Sequence, residues 1–486
     1  MVTLIKNGFL YDGNEKVPQE ADILISGRKI ARVGKITSKR HIDHVLNAQG
    51  KVVVPGFIDA HTRPDFFSSL FEEHSGETYL CRGITTIIGG NCGVSLAPFL
   101  HPSQLETAFK NRWHLNVHWD SVESFFSILE RRGIEINFGT LVGYSGLADG
   151  ITQGARRDLS EKEREASNAL LDRSLAAGAG GVSVPLCSPD KRDIPTVEME
   201  AILSLCKKRK KMVAVCVEEQ EKCSTRLKGF LNLARKKRVR VRVSHIEPKT
   251  KEEEKTLNLV LNLQEKESTI SCDLTPGNLK LIPLVHLLPE HWQTSSLEEI
   301  QELLFSSHGE DEIEKHIRQR INKEQGIRIA RILDPSLKFL EGRTLREFSN
   351  NRGETFEEAI IALMRLTRLE AAIVVDDINQ QLVEEEIWKR EKVLVSPFME
   401  DQNGFAQFLR RTMEKGIFGK IIAQTTSLPA LFHGIAKRGL IKEGYFADIL
   451  ILDKDYIPEH ILVNGKIVKS ESRFIPEHAG MALRLH

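Results

Sequence analysis

Apolar and polar positions alternate in two rhythms along this chain, and the rhythm changes near each end. Over the first fifty residues, short apolar runs (Val2–Lys6, Ala21–Ile25, Lys29–Val33, Val45–Asn47) are separated by Asn7-Gly8, Asp12-Gly13 and Gly27. Strand side chains alternate between faces, so runs of this length bounded by Gly and Asn predict a small antiparallel β unit. The other end is alike. Ala447–Leu452 and Ile461–Val463 read as strands, Asn464-Gly465 as a hairpin turn, and Ile467-Val468 as the returning strand. Two β-rich ends around a long middle predict one domain of 1–51 plus 436–486, burying Leu4, Ile23, Ile449 and Val463 together, with the middle inserted through it.

The middle, 52–435, alternates apolar runs with amphipathic ones. Strands are predicted at 52–58, 84–89, 137–142, 180–185, 212–217, 239–245, 268–274 and 393–396. Helices are predicted between many of them, at 160–177, 194–210, 222–236 and 251–264. About eight strand-then-helix units predict parallel strands with crossover helices, and so an α/β fold of the (β/α)8 TIM-barrel kind. Two further strand-like runs, 328–333 and 372–376, disturb that count. The stretch from about 283 to 345 is rich in Glu, Lys and Gln at helical spacing and reads as a helical insertion near the barrel mouth.

Composition narrows the class. The chain has 486 residues, 41% hydrophobic and 28% charged, which is more than one ordinary core and typical of a soluble globular protein. A net charge of +1, from 68 basic and 67 acidic residues, gives no electrostatic case for nucleic acid or an anionic membrane as partner. The basic run Lys207–Lys211 reads as a solvated helix C-terminus that complements the helix dipole. No signal peptide is recognisable at Met1-Val-Thr-Leu-Ile-Lys-Asn-Gly, and no run of about 18 apolar residues occurs, so neither export nor a membrane span is expected. Seven scattered cysteines without an export signal read as reduced thiols in the cytoplasm.

The candidate chemistry sits where the predicted strands end. Val52–Asp59 leads into Asp59-Ala60-His61-Thr62-Arg63, a two-residue spacing that turns positions 61 and 63 to one side of a strand terminus. Two imidazoles at such positions make a metal site; here the second is a fixed cation. Cys92 in Ile88-Gly89-Gly90-Asn91-Cys92-Gly93, Cys216 in Val213-Ala214-Val215-Cys216 and His245 in Val241-Arg242-Val243-Ser244-His245 lie at three other strand ends. Active sites of parallel barrels gather there, which is the case for reading the four together. Singly, a strand-end cysteine reads first as a small core residue, and a lone histidine evenly as a hydrogen-bonded structural residue or a site residue.

Pro55–Thr62, Arg82-Gly83-Ile84-Thr85-Thr86 and Gly90-Asn91-Cys92-Gly93-Val94-Ser95-Leu96-Ala97-Pro98 resemble the N-acyl-D-amino-acid deacylases (D-aminoacylases) of the amidohydrolase superfamily. So do Gly178–Val184, Ser244-His245, Leu288-Pro289 before Trp292, Glu341–Leu345, Thr425–Ala430 and Arg438–Gly444 before Ala447-Asp448, in family order over nearly the whole chain. The resemblance implies a (β/α)8 barrel, a β-sandwich built from both termini, a small insertion near the barrel mouth, and zinc-dependent hydrolysis of an amide C–N bond in a small-molecule substrate. A homo-oligomer is compatible with it. The tight zinc position of the family maps onto Cys92, Cys216 and His245, with His61 nearby.

The departures bear on activity. The family's second strand-1 histidine is Arg63. Its strand-5 histidine is Cys216, with Glu218 and Gln220 following in place of Arg and Glu, and its strand-6 Ser-His-x-Lys is Ser244-His245-Ile246-Glu247. The aspartate that acts as base falls near Pro397, with the loop acids Glu400 and Asp401 following. Two thiolates, one imidazole and an open fourth position still make a sound site for one zinc ion. The donors of Cys92, Cys216 and His245 are therefore expected within about 4 Å of a common point, as Zn–S near 2.3 Å and Zn–N near 2.1 Å require. A cation about 4 Å from zinc costs several kcal/mol at an effective dielectric of about 20, unless Arg63 turns to a ligand carboxylate. Arg63, Ser244 and Glu218 are the expected substrate contacts. Two functions stay open: a zinc amidohydrolase with an altered catalytic set, and an inactive relative that binds or assembles.

Overall fold

The computed structural model describes residues 1–485 except 16, 38–40, 63–69, 71–75, 101–118, 154, 156, 187–193, 218–222, 245, 247–250, 278, 290, 291, 293–296, 322–325, 331, 333, 377–379 and 400. The fold is α/β, in two compact units: Met1–Pro276 with Gln381–Phe398 and Gln402–His486, and Gly277–Gln380 with Met399–Asp401.

In the first unit, nine strands from the two ends of the chain form one sheet. Val2–Leu10 pairs antiparallel with Gln19–Ser26 but parallel with His44–Asn47 and Val52–Pro55, so the N-terminal β unit is mixed rather than antiparallel. Ile449–Leu452 joins it by pairing with Val52–Pro55, and the hairpin to Lys466–Ser470 turns at Asn464 and Gly465, both with positive φ, as a tight two-residue turn needs. One face buries Ile5, Ile23, Ile25, Val53, Ile449 and Ile451 together. Leu4 is on the other face with Leu24 and Ile36, because odd and even positions of a strand part company. Val52–Pro55, which the apolar run merges with the first parallel strand Phe57–Asp59, belongs to this sheet. Gly56 breaks the run.

The same unit holds two parallel sheets. One is Phe57–Asp59, Ile84–Gly89, Asn137–Thr140; the other runs Val142–Gly143, Gly181–Leu186, Met212–Val217, Arg240–Ser244, Ile270–Leu274, Leu394–Val395. Only Leu141 lies between them. The Leu141 amide donates to Gly89 at 3.0 Å and the Gly180 amide to Thr140 at 2.9 Å, so both neighbours stay attached to this stretch. Ile84–Gly89 and Met212–Val217 are buried at every position, as parallel strands covered on both faces must be. Helices Glu161–Ala176, Thr196–Arg209, Cys223–Lys237 and Lys251–Lys266 stand between these strands, close to the predicted bounds. The first is started by a capping box in which Ser160 and Glu163 satisfy each other's amides.

The end of the chain departs from the predicted domain of 436–486. Beyond Arg473–Phe474 it leaves the terminal sheet for the parallel strands: the Phe138 amide donates to Met481, and those of Leu483 and Leu485 donate to Phe138 and Gly178, at 2.7–2.9 Å. A buried carboxylate ties the two parts together. Asp448 accepts from the Asn464 amide at 2.8 Å and from Asn137 Nδ2 at 3.3 Å, and pairs with the buried Arg438.

The second unit corrects the predicted insertion in extent and in kind. It spans 277–380 rather than 283–345, and besides helices such as Leu297–Leu304 and Ser307–Arg320 it has an antiparallel sheet of Leu279–Pro283, Ala372–Asp376 and Ile327–Ala330. Its two later strands are the runs that upset the barrel count. Ile313, Ile317, Ile329, Ile360 and Ile373 share its core.

Candidate metal centre

Strand ends of the parallel sheets bring three donors together. His61 comes two residues after Phe57–Asp59, Cys92 three after Ile84–Gly89, and Cys216 is the fifth residue of Met212–Val217. Their ligand atoms all lie within 4.8 Å of one another, and His61 Nε2 is 3.5 Å from Cys92 Sγ. Both cysteines are buried and the His61 side chain is 8% exposed.

The loop before Cys92 is held hard. Cys92 has φ 53°, a conformation that costs a non-glycine residue energy, and Gly90 has φ 75° where a Cβ would strike the Leu141 carbonyl. Asn91 fastens the loop by donating from Nδ2 to Thr62 O at 2.9 Å and Ile88 O at 2.8 Å.

Behind His61 stands a carboxylate that no motif announces. Asp273, in Ile270–Leu274, has Oδ2 2.8 Å from His61 Nδ1, while its Oδ1 accepts from Ser244 Oγ and lies 3.4 Å from Arg242 Nε. Burial works against the Asp273 charge, but His61 and Arg242 outweigh it and hold the carboxyl well below its ordinary pKa. Burial likewise works against a charged His61, yet Asp273 prevails and raises the imidazole to about 9. An ionised carboxylate only accepts, so Nδ1 carries the hydrogen and Nε2 is the atom on the cysteine side.

A second buried acid, Asp59, accepts on Oδ1 from the His61 amide at 3.0 Å and from Ser396 Oγ at 2.9 Å. Its Oδ2 has no hydrogen-bond partner among the described residues, and burial raises its pKa, favouring the neutral acid. The Ser396 bond links the first parallel strand to the last.

Of the residues singled out from sequence, His61, Cys92 and Cys216 meet at one point. Ser244 is buried and bonded to Asp273, which removes it from the expected substrate contacts. Pro397, near which the family's base was expected, is buried and has no proton acceptor on its side chain. His245, Arg63, Glu218, Gln220, Glu247 and Glu400 lie outside the described residues; Asp401 is exposed and belongs to the second unit. Asp273 and Arg242 are the residues that sequence reasoning missed. The available signal was a charge inside strands with no solvated face.

No family model matches the chain. Among curated proteins it is 28% identical over 207 residues to a D-aminoacylase of Alcaligenes xylosoxydans xylosoxydans, covering 42% of this chain and 41% of that one. It is 34% identical over 184 residues to an N-acyl-D-glutamate deacylase of the same organism, covering 38% and 37%. The chain thus spans about two fifths of the length of the curated relatives it matches. Among solved structures, the N-acyl-D-glutamate deacylase of Bordetella bronchiseptica, complexed with zinc and a phosphonate inhibitor, superposes with a TM-score of 0.74 at 22% identity over 99% of both chains. A D-aminoacylase described as defining a novel subset of amidohydrolases gives 0.72 at 21% identity, again over 99% of both. At these identities the structures speak for the fold, and the sequence matches carry the kinship. The sequence matches over about two fifths of the chain, together with the shared fold, support the N-acyl-D-amino-acid deacylase (D-aminoacylase) family of the amidohydrolase superfamily.

Proposed function

We propose that this protein is a zinc-dependent amidohydrolase that cleaves an amide C–N bond of a small-molecule substrate at a one-metal site of His61, Cys92 and Cys216. The observation that carries the reading is the convergence of these three donors within 4.8 Å. Around one tetrahedral zinc, sulfur and nitrogen ligands stand about 3.5–3.8 Å apart, and the 3.5 Å between His61 and Cys92 fits that spacing. The donor set also fits by chemistry, since two thiolates balance a divalent ion and imidazole completes a three-ligand catalytic type. His245, the family ligand, is the remaining candidate for the set. Zinc, when bound, supplies a Lewis acid that activates water and polarises the scissile carbonyl. This chain's own residues do the positioning: Asp273 orients the His61 ring, and Asp59 fixes the His61 backbone.

The architecture belongs to the same proposal. The nine parallel segments are read as the eight strands of one (β/α)8 barrel, with Asn137–Thr140 and Val142–Gly143 as one strand interrupted at Leu141 and the Asp59–Ser396 bond between first and last strands. The nine-stranded sheet is read as the β-sandwich domain and 277–380 as the inserted domain. Among the described residues no helix is long and apolar enough to cross a membrane; cytoplasmic residence is part of the proposal.

A second reading, a non-hydrolytic relative with a binding or assembly role, is supported by two observations: Pro397, near which the family's base was expected, offers no proton acceptor, and both oxygens of Asp273 are engaged elsewhere. Element analysis of protein purified without chelator, followed by turnover on a panel of N-acyl-D-amino acids, separates the two. Zinc near one per chain with turnover that Cys216→Ser abolishes supports the hydrolase. Zinc without turnover supports the second reading, and no zinc removes the metal site from both.

A further inference from the structure

Arg242 lies in the strand Arg240–Ser244 and is completely buried, the largest side chain to be so among the described residues. A guanidinium taken out of water needs its donors met, and packing alone would be served by an aliphatic residue. Where those donors go is informative. Nη1 donates to the carbonyl of Ala60, the residue before His61. Nη2 donates to Oδ1 of Asn91, the residue before Cys92. Nε faces Oδ1 of Asp273 at 3.4 Å, and the other oxygen of that carboxylate lies 2.8 Å from the His61 ring. The remaining contact, Nη1 to His433 Nε2 at 3.1 Å, reaches the helix Ser427–His433.

One planar group thus grips the chain directly before two of the three donors, and its Nε, which makes no hydrogen bond among the described residues, stands in an ion pair beside the carboxylate behind one of them. With Nδ2 of Asn91 committed to Thr62 and Ile88, the Arg242 bond pins the third side of that amide and so the strained turn at Cys92. We infer that Arg242, acting with Asp273, is the positioning residue of the metal centre. It sets the separation of His61 Nε2 and Cys92 Sγ at which both meet one ion, an inference that rests on the metal-site reading above. Lysine in its place keeps the charge but has no fork, and one ammonium does not reach Ala60, Asn91 and Asp273 together.

The test is titration of the metal-free full chain with Co²⁺ and with Zn²⁺. It follows affinity and, for cobalt, the thiolate-to-metal charge-transfer band and the ligand-field bands. The wild type is expected to show thiolate charge transfer. Arg242→Lys, if it melts cooperatively like the wild type, is expected to bind about 10–100-fold more weakly, as loss of outer partners of metal ligands does, with altered ligand-field bands. Wild-type affinity and an unchanged spectrum in a folded Arg242→Lys overturn the positioning role while leaving the metal site standing. A wild type without thiolate charge transfer overturns the metal-site reading and this inference with it. Should Arg242→Lys not fold, the isosteric Asp273→Asn decides. The same drop in affinity supports the pair, and wild-type binding overturns it.

Discussion

His61 Nδ1 and Asp273 Oδ2 lie 2.8 Å apart although 212 residues separate them in the chain. The pair faces the ring's other nitrogen toward Cys92 and Cys216, the arrangement by which a carboxylate fixes the tautomer of a metal-ligating histidine. What the site holds and does follows from that orientation.

The thiolates are expected to decide metal content. Cys92→Ser and Cys216→Ser should each lower zinc occupancy from near one per chain, because an alcohol at this position is a far weaker ligand than a thiolate. Cys216→His, which returns the family's imidazole, should retain zinc. Element analysis after chelator competition checks all three, and full zinc in Cys216→Ser would remove Cys216 from the site.

A base placed at position 397 tests whether its absence limits the chain. Pro397→Asp combined with Arg63→His should raise hydrolysis of N-acyl-D-amino acids above the wild-type rate by up to about 10²–10⁴-fold, the usual worth of a placed general base. Each change alone should fall short, since a base needs a well-held metal and the metal needs a base. Rates equal to wild type in the folded double variant would show that the base position is not what limits the chain.

Removing Asp448 should damage the fold more than the site. Arg438 is 4% exposed, and Asp448→Ala leaves its charge buried without a carboxylate while also freeing the Asn464 amide. Breaking such a pair costs about 3–5 kcal/mol, read as a lower urea midpoint. A chain comprising 52–435 alone should fail to melt cooperatively, because Val52–Pro55 then loses partners on both sides.

Acid should weaken one surface pair in a defined window. Arg209 bonds both oxygens of Asp172 at 2.7 Å and holds its carboxyl down at about 2. A depressed folded-state pKa means the contribution is present above the unfolded value of about 3.9 and is lost as pH falls toward 2. The stability difference between wild type and Arg209→Gln should therefore shrink from pH 5 to pH 2. Both side chains are about one-third exposed, so the difference is small even at neutral pH. A difference independent of pH would show that the pair is not formed.

Apolar periodicity is a local property, which is why the parallel strands and the helices between them were legible in this sequence nearly to their ends. The strand-terminal positions of His61, Cys92 and Cys216 were legible for the same reason: a residue just past an apolar run must emerge at one edge of the sheet. Which donors meet was not. The sequence paired the two cysteines with His245, which lies outside the described residues, and kept His61 nearby; the fold brings His61 within 4.8 Å of both sulfurs, with Asp273, far along the chain, bonded to its ring. Arg242 and Asp273 were passed over because each sits inside an apolar run, where alternation assigns a charge to solvent. Only the closing of sheets around them leaves no solvent there. The same holds for 328–333 and 372–376: their strand character was local and correct, but their place in a separate antiparallel sheet depends on pairing between distant segments, which no periodicity records.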